Sequence, residues 1–220
     1  MPILKKYILT NNPLNKSNIL LRAIQKSENI FSRYFWKFAD ILACNNRKIA
    51  EFYEKKIGFQ YRREYEAFGL MKYSRILHIG CGAYPLSEII LSESSTLKIV
   101  GIDKNPKAID AAIKIIQKKN LEKRVKIIKG DGINYKVKDF DVIIVSSCST
   151  PKEKILDNVF KNVNKNIIII VREINSNKNN ILDYIGKQNY VKVEKKLQFF
   201  TIFLIPFSWI AFYLVKMRES

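Results

Sequence analysis

From Tyr73 onward, short apolar runs alternate with longer amphipathic stretches, and this alternation constrains the fold more than any other feature of the chain. Strands are predicted at residues 75–80, 97–103, 125–131, 140–147 and 166–173. Helices are predicted to begin near Pro85, Pro106 and Pro151, because the first turn of a helix needs no backbone N–H donor. Strands that alternate with helices form a parallel sheet covered by helices. The sequence therefore predicts an α/β fold for this part of the chain.

The C-terminal part of the chain adds two predicted strands, at 190–200 and 209–217, joined through Pro206. Together they are expected to form an antiparallel hairpin at the end of the sheet. The apolar run 199–215 also allows contact with a membrane, but it is shorter than the ~20 residues of a membrane-spanning helix and rich in residues that favour strands. We therefore favour a buried hairpin and keep membrane contact as the alternative.

The N-terminal part of the chain has a different pattern, in which apolar residues such as Phe31, Phe35 and Phe38 recur at helical spacing. No segment before residue 70 has a convincing strand pattern. Two parts are therefore expected: an N-terminal helical cap over 1–70 and a sheet domain over 71–220.

The net charge is +19 over 220 residues. A basic surface can bind nucleic acid, an anionic membrane or an acidic substrate. Here the lysines are spread along the chain, as is typical of a solvated surface. RNA as a partner is therefore an alternative that the sequence does not favour over a small-molecule acceptor.

The three cysteines, Cys44, Cys81 and Cys148, are odd in number and far apart, which favours neither a disulfide framework nor a zinc site. No bound metal is expected. The N-terminal segment lacks an apolar stretch followed by a cleavage site, so it does not predict a signal peptide. A reducing, cytoplasmic setting is the expectation.

The first predicted strand ends in Gly80-Cys81-Gly82 and runs directly into a helix. Glycine suits such a turn because a Cβ atom disfavours positive φ angles and blocks the close approach of a ligand to the backbone. A single Gly-x-Gly is also common in turns that have no ligand. The turn is thus a candidate nucleotide site that needs support from other residues.

Two acids supply that support. Asp103 ends the second predicted strand, where a carboxylate can accept hydrogen bonds from both hydroxyls of a ribose. Asp131 follows the third strand, where it can accept a hydrogen bond from an adenine amino group. Because the carboxyl ends of parallel strands meet at one edge of a sheet, these residues together predict a nucleoside pocket. The predicted cofactor-binding set is Gly80, Cys81, Gly82, Asp103, Lys104, Asp131, Gly132 and Ser146.

The segments ILHIGCG, VGID, IIKGDG and FDVIIVSS resemble, in this order, four motifs of the class I S-adenosylmethionine-dependent methyltransferases. The resemblance implies a Rossmann-like, mostly parallel sheet with an antiparallel C-terminal hairpin, and S-adenosylmethionine as co-substrate. Two positions depart from the family pattern. The acidic residue common at the start of the glycine motif is His78 here, and a third glycine is replaced by Tyr84.

The segment GCGAYPLSEIIL more specifically resembles the nicotianamine synthases, whose glycine turn is followed by proline, leucine and a serine or threonine. Arg172 matches the arginine that ends a later strand in that family. Those enzymes transfer the aminocarboxypropyl group of S-adenosylmethionine to an amine, using a glutamate upstream of the sheet.

The same resemblance implies two catalytic residues in this chain. Glu66 is the best positional match for the glutamate, with Glu64 as the alternative, and would accept a proton from the attacking amine. Tyr84 is the candidate for the catalytic tyrosine, with Tyr61 and Tyr65 nearby.

The sequence thus predicts an S-adenosylmethionine-dependent transferase that acts on a small-molecule acceptor. Methyl transfer is the first hypothesis and aminocarboxypropyl transfer to an amine is the second. Methylation of RNA is the third, because the charge of the chain allows it.

Overall fold

A computed structural model describes residues 13–93, 97–202 and 206–217. It contains one sheet of seven strands in the order β3-β2-β1-β4-β5-β7-β6. In chain order the strands are β1 (Arg75–Ile79), β2 (Lys98–Asp103), β3 (Val125–Lys129), β4 (Val142–Val145), β5 (Ile168–Ile174), β6 (Val191–Ile202) and β7 (Pro206–Lys216).

Helices precede the sheet and connect its strands. They are α1 (Pro13–Asn45), α2 (Arg47–Tyr53), α3 (Phe59–Ala67), α4 (Leu86–Leu91), α5 (Pro106–Lys118), α6 (Lys152–Asn162) and α7 (Lys178–Gly186), and a π-helical turn (Glu54–Gly58) joins α2 to α3. As expected, proline is the first residue of α5, and Pro85 and Pro151 directly precede α4 and α6.

The first five strands are parallel, and β7 and β6 are antiparallel to their neighbours. This topology confirms the predicted Rossmann-like sheet with an antiparallel C-terminal hairpin. β1 lies between β2 and β4. The chain runs from β1 to β2 toward one edge of the sheet and from β4 to β5 toward the opposite edge, so the strand order reverses between β1 and β4. A crevice opens at the carboxyl ends of the strands at such a reversal of strand order, and ligands bind there.

The apolar run at the C-terminus belongs to the hairpin. β7 lies between β5 and β6, and its residues Ala211, Phe212 and Leu214 are fully buried. Burial on both faces explains why this strand is an apolar run with little alternation. β7, the second strand of the hairpin, begins at Pro206 and not at the predicted residue 209. Within the described ranges, the structure has no helix with the length and apolar content needed to cross a membrane.

The N-terminal helices pack on one face of the sheet. Ala39, Tyr53 and Tyr65 belong to the same buried cluster as Ile76 of β1 and Ile144 of β4. Residues 1–12 of the predicted cap lie outside the described residues, and the described part up to residue 72 is helical apart from short turns. The boundary at residue 70 stays a prediction, since the helices share their hydrophobic core with the sheet.

Candidate active site

A cavity of about 810 Å³ lies at the carboxyl ends of the central strands and beneath α1. All of the predicted cofactor-binding residues line it. The aromatic side chains on its wall include Trp36 of α1, Tyr53 of α2 and Trp209 of β7. The fold therefore brings a mostly apolar cover to the place where the predicted nucleoside-binding residues converge.

The glycine turn forms the floor of the cavity. Gly80 and Gly82 have φ angles of +88° and +70°, values that favour glycine. A Cβ atom at Gly80 would collide with the hydroxyl of Ser149, and one at Gly82 would collide with the carboxylate of Asp40. The turn is held by the Gly80 N–H, which donates to the carbonyl of Ile102 at 2.8 Å. Both glycines are thus required by conformation and by space.

Cys81 lies between these glycines and is buried. Burial raises the pKa of its thiol well above the ordinary value, with further contributions from nearby carboxylates. A thiol that stays protonated is a poor nucleophile. Cys81 therefore packs beneath the turn and contributes its backbone to the cavity.

Asp103 holds the glycine turn from the end of β2. Its Oδ2 accepts a hydrogen bond from the Gly82 N–H at 3.2 Å, and its Oδ1 accepts one from the Asn105 N–H at 2.9 Å. A carboxylate has about four acceptor positions, so two backbone bonds leave room for ligand hydroxyls. Lys104 donates from Nζ to the carbonyl of Thr150 at 2.8 Å and joins the loops after β2 and β4.

Asp131 lies in the loop after β3. Its Oδ1 accepts a hydrogen bond from the Ile133 N–H at 3.1 Å, which shapes the loop as an Asx turn. Gly132 next to it is buried, and a Cβ atom there would collide with the side chain of Ile79. The loop backbone therefore runs directly against β1.

Ser146 follows β4 and is fixed by Lys152, a residue that the site prediction did not include. The Lys152 ammonium donates to the carbonyls of Ser146 and Arg172, the latter at 3.0 Å. Its Nζ also lies 3.8 Å from a carboxylate oxygen of Glu173. Burial lowers the pKa of Lys152. The ammonium thus joins the ends of β4 and β5 beside the cavity.

Arg172 is the largest polar side chain on the buried wall, with 2% of its surface exposed. Its guanidinium donates to both oxygens of Glu64 at 2.8–3.1 Å and to the hydroxyls of Tyr65 and Ser87. It also stacks on the ring of Tyr61 at 4.0 Å. Glu64 raises the pKa of Arg172 and keeps it charged, although burial opposes this. Glu64 is therefore the counter-ion of Arg172.

Glu66 does not reach the site. It is exposed on α3 and does not line the cavity, whereas Glu64 on the same helix faces the sheet. Two residues are separated by about 200° around an α-helix, so only one of this pair can face inward. The structure thus gives no support to the choice of Glu66 as the base, and the alternative, Glu64, is committed to Arg172.

Tyr84 does line the cavity, and its side chain is buried. Its hydroxyl donates a hydrogen bond to Glu54 of the π-helical turn, and its ring lies 5.9 Å from that of Tyr53. Burial and the neighbouring Glu54 both raise the pKa of the phenol. Its catalytic role stays a prediction.

Asp40 of α1 is a cavity residue that the sequence analysis missed. Its Oδ2 accepts a hydrogen bond from the Ala83 N–H at 3.2 Å, and its Oδ1 accepts one from the Tyr53 hydroxyl at 3.3 Å. Burial raises the pKa of its carboxyl to about 7. The available signal was an acid in the largely apolar segment FWKFADILAC, in which Lys37 is the other charged residue.

We expect Asp103→Ala to weaken the binding of S-adenosylmethionine by ~1.5–3 kcal/mol, because a ribose would lose its charged acceptor in a partly buried site. Calorimetry on the folded variant checks this, with Asp183→Ala on the exposed side of α7, outside the cavity, as the control. Unchanged affinity in folded Asp103→Ala would remove Asp103 from the site.

A family model described as a methyltransferase domain matches residues 70–202, more than half of the chain. The chain belongs to this family. The membership confirms the resemblance to class I methyltransferases, and S-adenosylmethionine is the co-substrate that it supports. No curated protein matches the chain by sequence.

Solved structures show the same fold at low sequence identity. MtNAS in complex with S-adenosylmethionine has a TM-score of 0.67 and 18% identity over 97% of this chain and 82% of that chain. MtNAS in complex with MTA and tNA has a TM-score of 0.68 and 18% identity over 97% and 80%. An O-methyltransferase from Klebsiella pneumoniae, named as such without experimental assignment, has a TM-score of 0.56 and 12% identity over 72% and 80%. Because the matches to MtNAS cover 97% of this chain, they include its N-terminal helices.

Proposed function

We propose that this protein transfers a group from S-adenosylmethionine to a small-molecule acceptor inside the covered cavity. The observation that carries the proposal is the cavity itself, which lies beneath α1 and combines the glycine turn with the acids at the strand ends. Its volume of about 810 Å³ is within the range of roughly 300–1,000 Å³ typical of small-molecule sites. A donor and a compact acceptor therefore fit better than a folded RNA.

In this proposal the donor is bound by residues at the strand ends, all of which line the cavity. Asp103 accepts hydrogen bonds from the ribose hydroxyls, Asp131 accepts one from the adenine amino group, and the backbone of the glycine turn lies against the methionine part. The half-buried loop after β4, which includes Ser146, lines one side of the cavity. In the same proposal this side lies next to the reacting sulfonium.

The reaction needs little acid–base machinery. A lone pair of the acceptor forms a bond to a carbon on the sulfonium, and the electrons of the broken C–S bond stay on sulfur as a neutral thioether. The protein contributes mainly by holding the acceptor in line with that bond and by excluding water. Methyl transfer, the reaction typical of the family, leaves S-adenosylhomocysteine.

Aminocarboxypropyl transfer is the second candidate. It is favoured by the match to MtNAS, a nicotianamine synthase, because that match covers 97% of this chain and includes its N-terminal helices. The match to the Klebsiella structure covers 72% of this chain. In this reaction a different C–S bond breaks, and methylthioadenosine is left. The base role of Glu66 is not part of either proposal, because its side chain is exposed.

The two reactions are separated by their by-products. We expect that incubation of the protein with S-adenosylmethionine and a small-molecule extract will produce S-adenosylhomocysteine or methylthioadenosine, measured by chromatography and mass spectrometry. Asp103→Ala serves as the matched control and is expected to produce less of either. If neither by-product accumulates above the control with any extract while S-adenosylmethionine binds, the protein is a binding protein and not a transferase.

A further inference from the structure

The glycine motif of this chain has no carboxylate that faces the cavity. His78 is present where the class I family commonly has an acid, and its Nδ1 lies 2.8 Å from Oε1 of Glu88. Both side chains are buried, and Glu88 does not line the cavity. The negative charge next to the motif is thus held against His78 beneath the turn and is not available to a ligand.

Four carboxylates line the cavity in the part of the chain that the structure describes: Asp40, Asp103, Asp110 and Asp131. Two of them are assigned to the ribose and the adenine of the donor. Asp110 is exposed on α5. Asp40 is the remaining one, and it comes from the helical cover.

Asp40 lies directly on the glycine turn. Its Oδ2 is so close to Gly82 that a Cβ atom there would collide with it, and the same oxygen accepts the N–H of Ala83 at 3.2 Å. Cys44, one helical turn further along α1, donates from Sγ to the carbonyl of Ala83 at 3.4 Å. The helix is therefore fixed to the glycine turn, against which the proposed function places the methionine part of the donor.

The charge of Asp40 has no cationic partner in the described structure. Its hydrogen bonds come from backbone N–H groups of Ala83 and Tyr84 and from the neutral phenol of Tyr53, and Asp103 nearby adds a second negative charge. A half-buried carboxylate without a cation is unfavourable, and a cationic ligand lowers that cost. S-adenosylmethionine has two cationic groups, of which the α-ammonium donates hydrogen bonds and the sulfonium does not.

We propose that Asp40 binds the α-ammonium group of the donor, in place of the acid that the glycine motif lacks, so that the helical cover supplies part of the donor site. This inference rests on the proposed function. It gives a role in donor binding to the carboxylate that α1 holds against the glycine turn.

The test compares three ligands by calorimetry on wild-type protein and Asp40→Asn. S-adenosylmethionine has both cationic groups, S-adenosylhomocysteine has the ammonium alone, and methylthioadenosine has neither. We expect Asp40→Asn to bind the first two ~10–100-fold more weakly, as for loss of a charged hydrogen bond. Methylthioadenosine should bind within about twofold of wild type, which also shows that the site is folded.

Asp183→Asn is the control, since it removes a negative charge from the exposed side of α7, outside the cavity, and should leave all three affinities unchanged. Equal loss for all three ligands in Asp40→Asn, or no loss for the first two, would overturn the inference and leave the proposed function intact. Failure of wild-type protein to bind S-adenosylmethionine would contradict both.

A pH series gives a second readout. The titratable groups around Asp40 are the thiols of Cys44, Cys81 and Cys148, the phenols of Tyr53, Tyr61 and Tyr84, and the carboxylate of Asp103. Burial raises the pKa of all three thiols and all three phenols, so these groups stay neutral near pH 7. Asp40, with a pKa of about 7, gains its charge as the pH rises from 6 to 7.5.

The affinity of wild-type protein for S-adenosylhomocysteine should therefore rise severalfold over that interval, and Asp40→Asn should lose this rise. A rise that persists in Asp40→Asn would assign the pH dependence to another group and contradict the proposal.

Discussion

Replacement of Glu64 by glutamine is expected to lower the free energy of unfolding by about 3–5 kcal/mol, because it leaves the charge of Arg172 buried without a counter-ion. Glutamine keeps the size of the side chain and one acceptor oxygen, so the loss reports the charge. Urea denaturation monitored by circular dichroism measures the effect, and Glu66→Gln is the matched control on the exposed face of α3. Its effect should stay within ±0.5 kcal/mol.

The double variant Glu64→Leu with Arg172→Met separates charge from packing. Replacement of both members of a buried ion pair by apolar residues of similar volume is often neutral or stabilising. We expect the double variant to be more stable than Glu64→Gln, although the hydroxyls of Tyr65 and Ser87 lose their partner. If Glu64→Gln and Glu66→Gln unfold at the same urea concentration, the pair makes no net contribution to the fold.

Phe212→Ala is the second substitution with a large expected effect. Phe212 is 0% exposed on β7, between β5 and β6, and packs with Val171 and Leu214 in one buried cluster. Truncation of a buried phenylalanine costs about 3–5 kcal/mol, from lost apolar burial and from the cavity that remains. Thermal unfolding should show a fall of at least several degrees, since ~1 kcal/mol shifts the midpoint of a domain of this size by about 2–4 °C.

Phe200→Ala is the matched control on the same hairpin, because Phe200 is 60% exposed. We expect its midpoint to stay close to that of wild type. Equal effects of the two substitutions would contradict the position of β7 inside the sheet, and would favour a C-terminal segment that is held by something other than the hydrophobic core.

Local features allowed much of the fold to be predicted from the sequence. The parallel strands were predicted because runs such as 142–145 and 168–171 are apolar throughout, as strands buried on both faces must be. Gly80 and Gly82 were identified because positive φ angles strongly favour glycine. The carboxyl ends of parallel strands meet at one edge, so Asp103 and Asp131 could be brought to one cavity without coordinates.

The tertiary structure decided which side chains complete the cavity, because this depends on contacts between residues distant in the chain. Glu64 faces the sheet and Glu66 faces solvent because of the way α3 is oriented on the sheet. The spacing of charged residues along the sequence does not reveal this orientation. Asp40 reaches Ala83 across 43 positions of sequence because α1 packs over the glycine turn. The sequence by itself thus determined the strands, their order along the chain and the convergence of the predicted donor-binding residues on one cavity. Packing between elements determined the Glu64–Arg172 pair and the position of Asp40 in the cover.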